Sequence, residues 1–118
     1  MSTSSRTILV VDDDPSIRLI CRVNLELDGW EVDEAASVDE ARARLADGNA
    51  RIVLLDVHLG EESGVDLLHE IRRAHPRLRV AMFTGSAASL AFDGMADAVI
   101  TKPFTLDQLH ETVLALAG

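Results

Sequence analysis

The sequence predicts an α/β fold, a five-stranded parallel sheet covered by helices on both faces. Three observations carry this. Short apolar runs alternate five times with segments of helical periodicity. Runs such as Ile8-Leu9-Val10-Val11 and Ile52-Val53-Leu54-Leu55 are apolar throughout, the habit of strands buried on both faces. Four runs end in polar groups: Asp12-Asp13, Asp56, Thr84 and Lys102. Open α/β sheets place their chemistry at that carboxyl edge.

Residues 7–11 form the first strand. Asp14 followed by Pro15 is a helix start, an Asp cap with proline in the first turn. The first helix should reach about Asp28, with Ile17, Ile20, Cys21 and Leu25 at helical spacing and Asn24 interrupting the stripe. Gly29 ends it. Residues 31–35 are a short second strand near an edge. Ser37-Val38-Asp39-Glu40 is a capping box, so the second helix begins at Val38 and stops at Asp47-Gly48.

The central strand ends at Asp56, and a loop with Gly60 and Gly64 follows. The third helix starts near Gly64, with Val65, Leu67, Leu68 and Ile71 inward, and must stop before Pro76. Residues 79–83 and 98–101 are the fourth and fifth strands. Thr105-Leu106-Asp107-Gln108 is another capping box, opening a last helix with Leu106, Leu109, Val113 and Leu116 inward. Right-handed crossovers confine such a chain to doubly wound orders.

At 118 residues, 47% of them apolar, the chain reads as one domain, 1–118, with its core at about 7–117. No apolar run approaches the ~18 residues of a membrane span, and the amino terminus lacks an apolar signal core. The single cysteine, Cys21, reads as a buried thiol and suits a reducing cytoplasm. The formal net charge of −9 argues against direct binding to nucleic acid or to an anionic membrane.

If the strand order is 2-1-3-4-5, the first and third strands are neighbours at the switch point, and Asp12, Asp13 and Asp56 gather there. Two carboxylates about 4 Å apart repel by roughly 4 kcal/mol at an effective dielectric near 20. A shared proton or a cation must offset this. Hard oxygen ligands on an open edge suit Mg²⁺, which accepts phosphate as a co-ligand. Lys102 adds a point charge and Thr84 a hydroxyl. Together these groups suit phosphoryl transfer to a carboxylate. Asp14 reads as a helix cap.

Val10-Val11-Asp12-Asp13, Leu54-Leu55-Asp56, Phe83-Thr84-Gly85 and Thr101-Lys102-Pro103-Phe104 resemble the motifs of the receiver domain of bacterial two-component response regulators. The resemblance implies a flavodoxin-like fold of order 2-1-3-4-5. It implies Asp56 as phosphoacceptor, served by a sensor histidine kinase or a histidine phosphotransfer protein. It implies Mg²⁺ held by Asp13, Asp56 and the backbone carbonyl of His58, with Asp12 acting through water. Thr84 and Lys102 would contact the phosphoryl group, with backbone N–H groups near Val57 and Gly85.

The chain departs from the family's pattern in places. Val99 stands where members often carry an aromatic switch residue, and valine cannot swing over the same distance. Gly60 stands where proline is usual, which implies a looser loop. The stretch between Thr84 and Lys102 is about four residues short, which predicts a shortened, mobile or partly irregular fourth helix over residues 86–93 and an unusual output surface. His58 and Ser86 stand at positions that tune loss of the phosphoryl group, with a solvated loop histidine the competing reading of His58. His69, His75 and His110 lack ligand spacing, so no zinc site is expected.

The expected function is therefore a cytoplasmic phosphoacceptor module, not an enzyme, whose interaction surface switches on phosphorylation. Its output is a downstream protein or a missing output domain; the chain is a stand-alone receiver or a piece of a larger regulator or hybrid kinase. One alternative is a phosphatase of haloacid-dehalogenase type using Asp12-Asp13-Asp14, opposed by the lack of a late acidic pair and of room for a cap domain. Another is a receiver-like scaffold that is never phosphorylated, opposed by the complete acidic set.

Overall fold

A computed structural model describes residues 6–85 and 94–118. The elements run β1 (Thr7–Val11), α1 (Pro15–Leu27), β2 (Glu31–Ala35), α2 (Val38–Ala46), β3 (Ala50–Asp56), β4 (His58–Leu59), β5 (Glu62–Ser63), α3 (Gly64–Ala74), β6 (Arg79–Thr84), β7 (Ala98–Thr101) and α4 (Leu106–Ala117). Five strands form one parallel sheet in the order β2-β1-β3-β6-β7. Counting only those five, this is the expected 2-1-3-4-5, a flavodoxin-like winding. The expectation of a shortened fourth helix over residues 86–93 lies outside the described residues.

The two-residue period of the strands sorts the core into two layers. Leu9, Val11, Val53, Leu55, Val80 and Met82 face α2 and α3, meeting Ala41, Leu45, Leu67, Leu68 and Ile71. Ile8, Val10, Ile52, Leu54, Ala81 and Phe83 face the other way, onto Cys21 and Leu25 of α1 and Leu109 and Val113 of α4. Strands buried on both sides read as unbroken apolar runs for this reason.

The helix caps follow the sequence. Asp14 accepts from the Ser16 amide, Ser37 from Glu40 and Ser63 from Asp66. At α4 the Thr105–Gln108 box closes in both directions. At α2 the returning bond lands one residue early: Glu40 accepts from the Ala36 amide rather than from Ser37. Two apolar expectations shift. Ile20, at helical spacing with the apolar stripe of α1, and Leu106, expected on the inner face of α4, are 41% and 44% exposed. In α1 the buried row is the i, i+4 series Ile17-Cys21-Leu25, so Ile20 stands on its shoulder. With Ile17, Asn24, Pro103 and Phe104, Ile20 and Leu106 line an open groove ending at Lys102.

The segment after Asp56 is more regular than a loop. β4 and β5 form a small antiparallel hairpin, His58 opposite Ser63 and Leu59 opposite Glu62. On the far edge of the sheet, Arg72 of α3 donates to the carbonyls of Met95 (2.5 Å) and Leu78 (2.6 Å) and to the Asp97 carboxylate (2.6 Å). That clamp fixes where the chain re-enters the sheet before β7.

Leu54, fully buried in the central strand, measures the core. Leu54→Ala should lower the unfolding free energy by about 3 kcal/mol, as removal of a buried leucine side chain does. Urea denaturation at equilibrium reads this out.

Candidate functional site

Strand parity decides which polar ends meet. Asp12 continues the even-numbered face of Ile8 and Val10, Asp56 that of Ile52 and Leu54, and Lys102 that of Ile100. Each strand is also prolonged just to its functional residue. The Asp12 amide donates to the Ala35 carbonyl (3.1 Å), and the Lys102 amide donates to the Thr84 carbonyl (2.7 Å). β1 and β3 are neighbours, so the three side chains converge at the switch point.

The Lys102 ammonium lies 2.8 Å from Asp12 Oδ2 and 3.3 Å from Asp56 Oδ2. It sits 5.6 Å from the centre of the Phe83 ring, which stacks on Phe104. Lys102 is the only lysine in the chain. The Lys102–Pro103 peptide bond is cis.

Asp12 is wholly buried. Its Oδ1 accepts from the Asp14 amide (2.9 Å), so the carboxylate is held on both oxygens. Asp56 is buried as well, and its Oδ1 faces the His58 amide at 3.4 Å. Asp13 is exposed and accepts from the Gly60 amide at 3.0 Å. One carboxylate oxygen from each of Asp12, Asp13 and Asp56 falls within a sphere of mutual distances no greater than 4.8 Å.

Burial, and then the charge of Asp12, push the Asp56 carboxyl above its ordinary value, against the pull of Lys102 and the His58 amide. Burial pulls the Lys102 ammonium down, but its bonds to Asp12 and its attraction to both acids outweigh this and raise it. Both can rise because two buried acids share one cation. Three hard carboxylate oxygens with an exposed member fit a divalent cation such as Mg²⁺, which would supply the missing positive charge.

Two glycines shape the rim. A Cβ on Gly64 would stand 1.9 Å from the Asp56 carbonyl oxygen, so only glycine lets α3 begin against the end of β3. The Gly64 amide donates to the Val57 carbonyl at 2.7 Å. Gly60 has φ +63°, in the left-handed region closed to proline, and offers the amide that holds Asp13. The looser loop expected from the missing proline is instead a hairpin tied to an acid of the site.

Thr84 is buried at the end of β6, whose neighbour β7 leads into Lys102. Val99 is 43% exposed on the edge strand. The His58 side chain is exposed, while its amide faces Asp56. Val57 donates its amide to the Phe83 carbonyl at 3.0 Å, which ties it into the sheet rather than leaving it pointed at the site. Cys21 is buried, and burial followed by the charge of Asp12 pushes its thiol up to about 12, which leaves it inert at neutral pH.

Sequence reasoning missed Arg18, whose guanidinium reaches the Asp12 carbonyl, and the roles of Gly60 and Gly64. One signal was legible and went unused: a chain with ten arginines keeps its single lysine for this site.

A doubly wound sheet with clustered acids and a lysine at its switch point fits a phosphoacceptor class of signalling domain. Residues 8–114 match the family model described as the response regulator receiver domain, and the chain belongs to that family, whose members act in two-component signalling. It is 33% identical over 116 residues to the probable transcriptional regulatory protein TcrX of Mycobacterium tuberculosis, covering 93% of this chain and 49% of TcrX. The chain thus spans about half the length of that relative, and 26% of the response regulator protein PilR of Pseudomonas aeruginosa.

A CheY-like response regulator receiver domain protein from Methanospirillum hungatei superposes with a TM-score of 0.90 at 31% identity, over 97% of this chain and 94% of that one. TrrA of Thermotoga maritima, solved in complex with Mg(2+)-BeF, superposes with a TM-score of 0.85 at 33% identity, over 93% and 97%. Among the described residues no helix is long and apolar enough to cross a membrane.

The raised Asp56 carboxyl gives a sign that can be measured. Its folded form holds a proton more tightly than the unfolded chain does, so ionising it costs stability as pH rises through its folded value. Without divalent cation at pH 7, Asp56→Asn should be more stable than the native chain. The gap should close as pH falls below the ordinary carboxylate range. Denaturant unfolding at a series of pH values in chelator checks both statements.

Proposed function

We propose that residues 7–117 form one receiver unit in which Asp56 accepts a phosphoryl group from a histidine of a sensor kinase or of a histidine phosphotransfer protein. The observation that carries this is the convergence of the Asp12, Asp13 and Asp56 carboxylates with one lysine at the switch point. Asp12, Asp13, Asp56 and the backbone carbonyl of His58 are the groups that would hold Mg²⁺. Bound there, the cation supplies charge neutralisation for the phosphoryl oxygens in an in-line displacement. The Mg(2+)-BeF complex of TrrA supports this assignment.

The reaction asks little covalent chemistry of the protein. An Asp56 oxygen attacks phosphorus; the bond from phosphorus to the donor's imidazole nitrogen breaks, and its electron pair stays on that nitrogen. The His58 amide, already facing Asp56 Oδ1, orients the nucleophile. Lys102 exchanges its contact with the Asp56 carboxylate for one with a phosphoryl oxygen, while Asp12 keeps it in reach. Thr84, buried at the next strand end, offers its hydroxyl to another phosphoryl oxygen. The phosphoryl group carries roughly 1.5 to 2 negative charges in place of the single charge of the carboxylate it caps, and the rearranged contacts of Thr84 and Lys102 pass that change to β6 and β7.

Such a module acts by binding rather than by turnover, and in the cytoplasm. Its donor is a protein: Leu19, Ile20, Val23 and Leu27 expose apolar surface along α1, beside the groove that ends at Lys102. The exposed Val99 gives the edge strand no aromatic switch, so the output face responds through other groups.

Incubation with acetyl phosphate and Mg²⁺, read by intact mass, should add one phosphoryl group to the native chain and none to Asp56→Asn. Equal labelling of both proteins, or multiple turnover of a simple phosphomonoester, would sink the assignment.

A further inference from the structure

Resting on the reading of Asp12 and Asp13 as cation-holding acids, we propose that Arg18 is a positioning residue. Its guanidinium, aimed by Glu34, fixes the peptide between these two acids and so fixes where both carboxylates stand.

Only residues 12–14 lie between the end of β1 and the start of α1, and most of their backbone is tied. The Asp12 amide ends on Ala35, the Asp14 amide ends on Asp12 Oδ1, and the Asp14 carbonyl accepts the Arg18 amide at 3.2 Å. The Asp12 carbonyl belongs to the planar unit that joins the two acids, so its direction sets how residue 13 leaves residue 12. It accepts from Arg18 Nη1 at 2.6 Å. The same guanidinium donates through Nε to Glu34 Oε1 at 3.0 Å. A guanidinium is rigid and planar, so anchoring Nε on Glu34 aims Nη1.

Glu34 is held in turn. Its second oxygen accepts from Arg22 Nε at 2.6 Å. Burial works against the ionised form of Glu34, but the hydrogen bonds from Arg22 and Arg18 prevail and keep its carboxyl below the ordinary value. The side chains of Arg18 and Glu34 are 18% and 29% exposed, which shields the pair from much of the solvent. Arg22 provides an internal comparison. It staples α1 to the same Glu34 but makes no contact with Asp12 among its hydrogen bonds, which go to Glu34 and Glu26. A merely structural role would therefore be shared by both arginines, whereas a positioning role belongs to Arg18.

The test compares Arg18→Met, Arg22→Met and Arg18→Lys in the full chain. Mg²⁺ affinity is read by titration calorimetry. The Lys102 side-chain NMR signal is read without Mg²⁺ in the native chain, Arg18→Met and Arg22→Met, each with one lysine and so one resonance, and Arg18→Lys is compared by calorimetry alone. Arg18→Met should weaken Mg²⁺ about tenfold, as loss of a group that orients metal ligands does. It should also shift the Lys102 resonance, because Asp12 is the partner of that ammonium. Arg22→Met should stay within about twofold and leave the resonance in place, and Arg18→Lys should fall between in affinity.

If Arg18→Met does not fold, Glu34→Gln stands in, with a weakening of about threefold expected. Equal weakening by Arg18→Met and Arg22→Met, or an unmoved Lys102 resonance in Arg18→Met, overturns the inference. A native chain that takes up neither Mg²⁺ nor a phosphoryl group overturns the reading of the site instead, and the Lys102 resonance then decides the positioning role alone.

Discussion

Two buried carboxylates share one ammonium at the head of this sheet. Asp12 and Asp56 both end on Lys102, and Asp13 stands beside them at the surface. Buried charges persist only when paired and hydrogen-bonded. The chain meets that requirement for Asp12, whose two oxygens are both occupied, and leaves Asp56 in deficit, with its carboxyl pushed up by burial and by Asp12. A bound cation of fitting size and donor type would offset this deficit, and an all-oxygen set favours a hard divalent ion.

The fold's task is to make that arrangement unavoidable. The two-residue period puts Asp12, Asp56 and Lys102 on the α1/α4 side of the sheet, continuing rows of apolar residues that are wholly or almost wholly buried. Moving any one strand by a residue would turn its functional end to the opposite face and expose its core row. Register is thus enforced by tens of buried methyl groups, and the site inherits it. Gly64 extends the same logic to the loop: with a Cβ excluded by the Asp56 carbonyl, α3 abuts the strand end, and the β4–β5 hairpin gives its Gly60 amide to Asp13. Arg18 and Glu34 brace the opposite wall.

Much of this was legible from the chain alone because it is written in periodicity. The five strands, their parallel pairing and the caps at Asp14, Ser37 and Thr105 follow from apolar runs and the residues that bound them, whereas the order 2-1-3-4-5, and with it the meeting of Asp12, Asp13, Asp56 and Lys102, rested on the resemblance to the receiver family. What was not legible depends on directions that a one-dimensional pattern does not encode. Ile20 and Leu106 fit a helical stripe yet face a groove, because three- and four-residue spacings lie on opposite shoulders of the same row. Gly60 was read as the loss of a proline's stiffness; its gain, an amide given to Asp13 at a positive φ, appears only in three dimensions. Nothing in the sequence pattern marks Arg18, whose guanidinium reaches a carbonyl six residues back only in the folded chain.

The division of labour between the basic residues follows from the same physics. Arginines hold the scaffold: Arg72 closes three acceptors at the starts of β6 and β7, Arg42 takes both oxygens of Glu70, and Arg18 and Arg22 share Glu34. Each is a rigid fork bound to fixed oxygens, and such contacts resist rearrangement. The site needs the reverse. In the proposed transfer its cation releases one oxygen of Asp56 and takes up a phosphoryl oxygen. A compact ammonium on a flexible stem does this by turning through small angles, kept in range by Asp12 and by the face of Phe83. An arginine there would bind Asp12 and Asp56 as a planar bridge and hold the resting arrangement too well. The chain thus has its one lysine where the proposed transfer exchanges a contact, and arginine where contacts stay, which gives Lys102's place at the end of β7 its physical content.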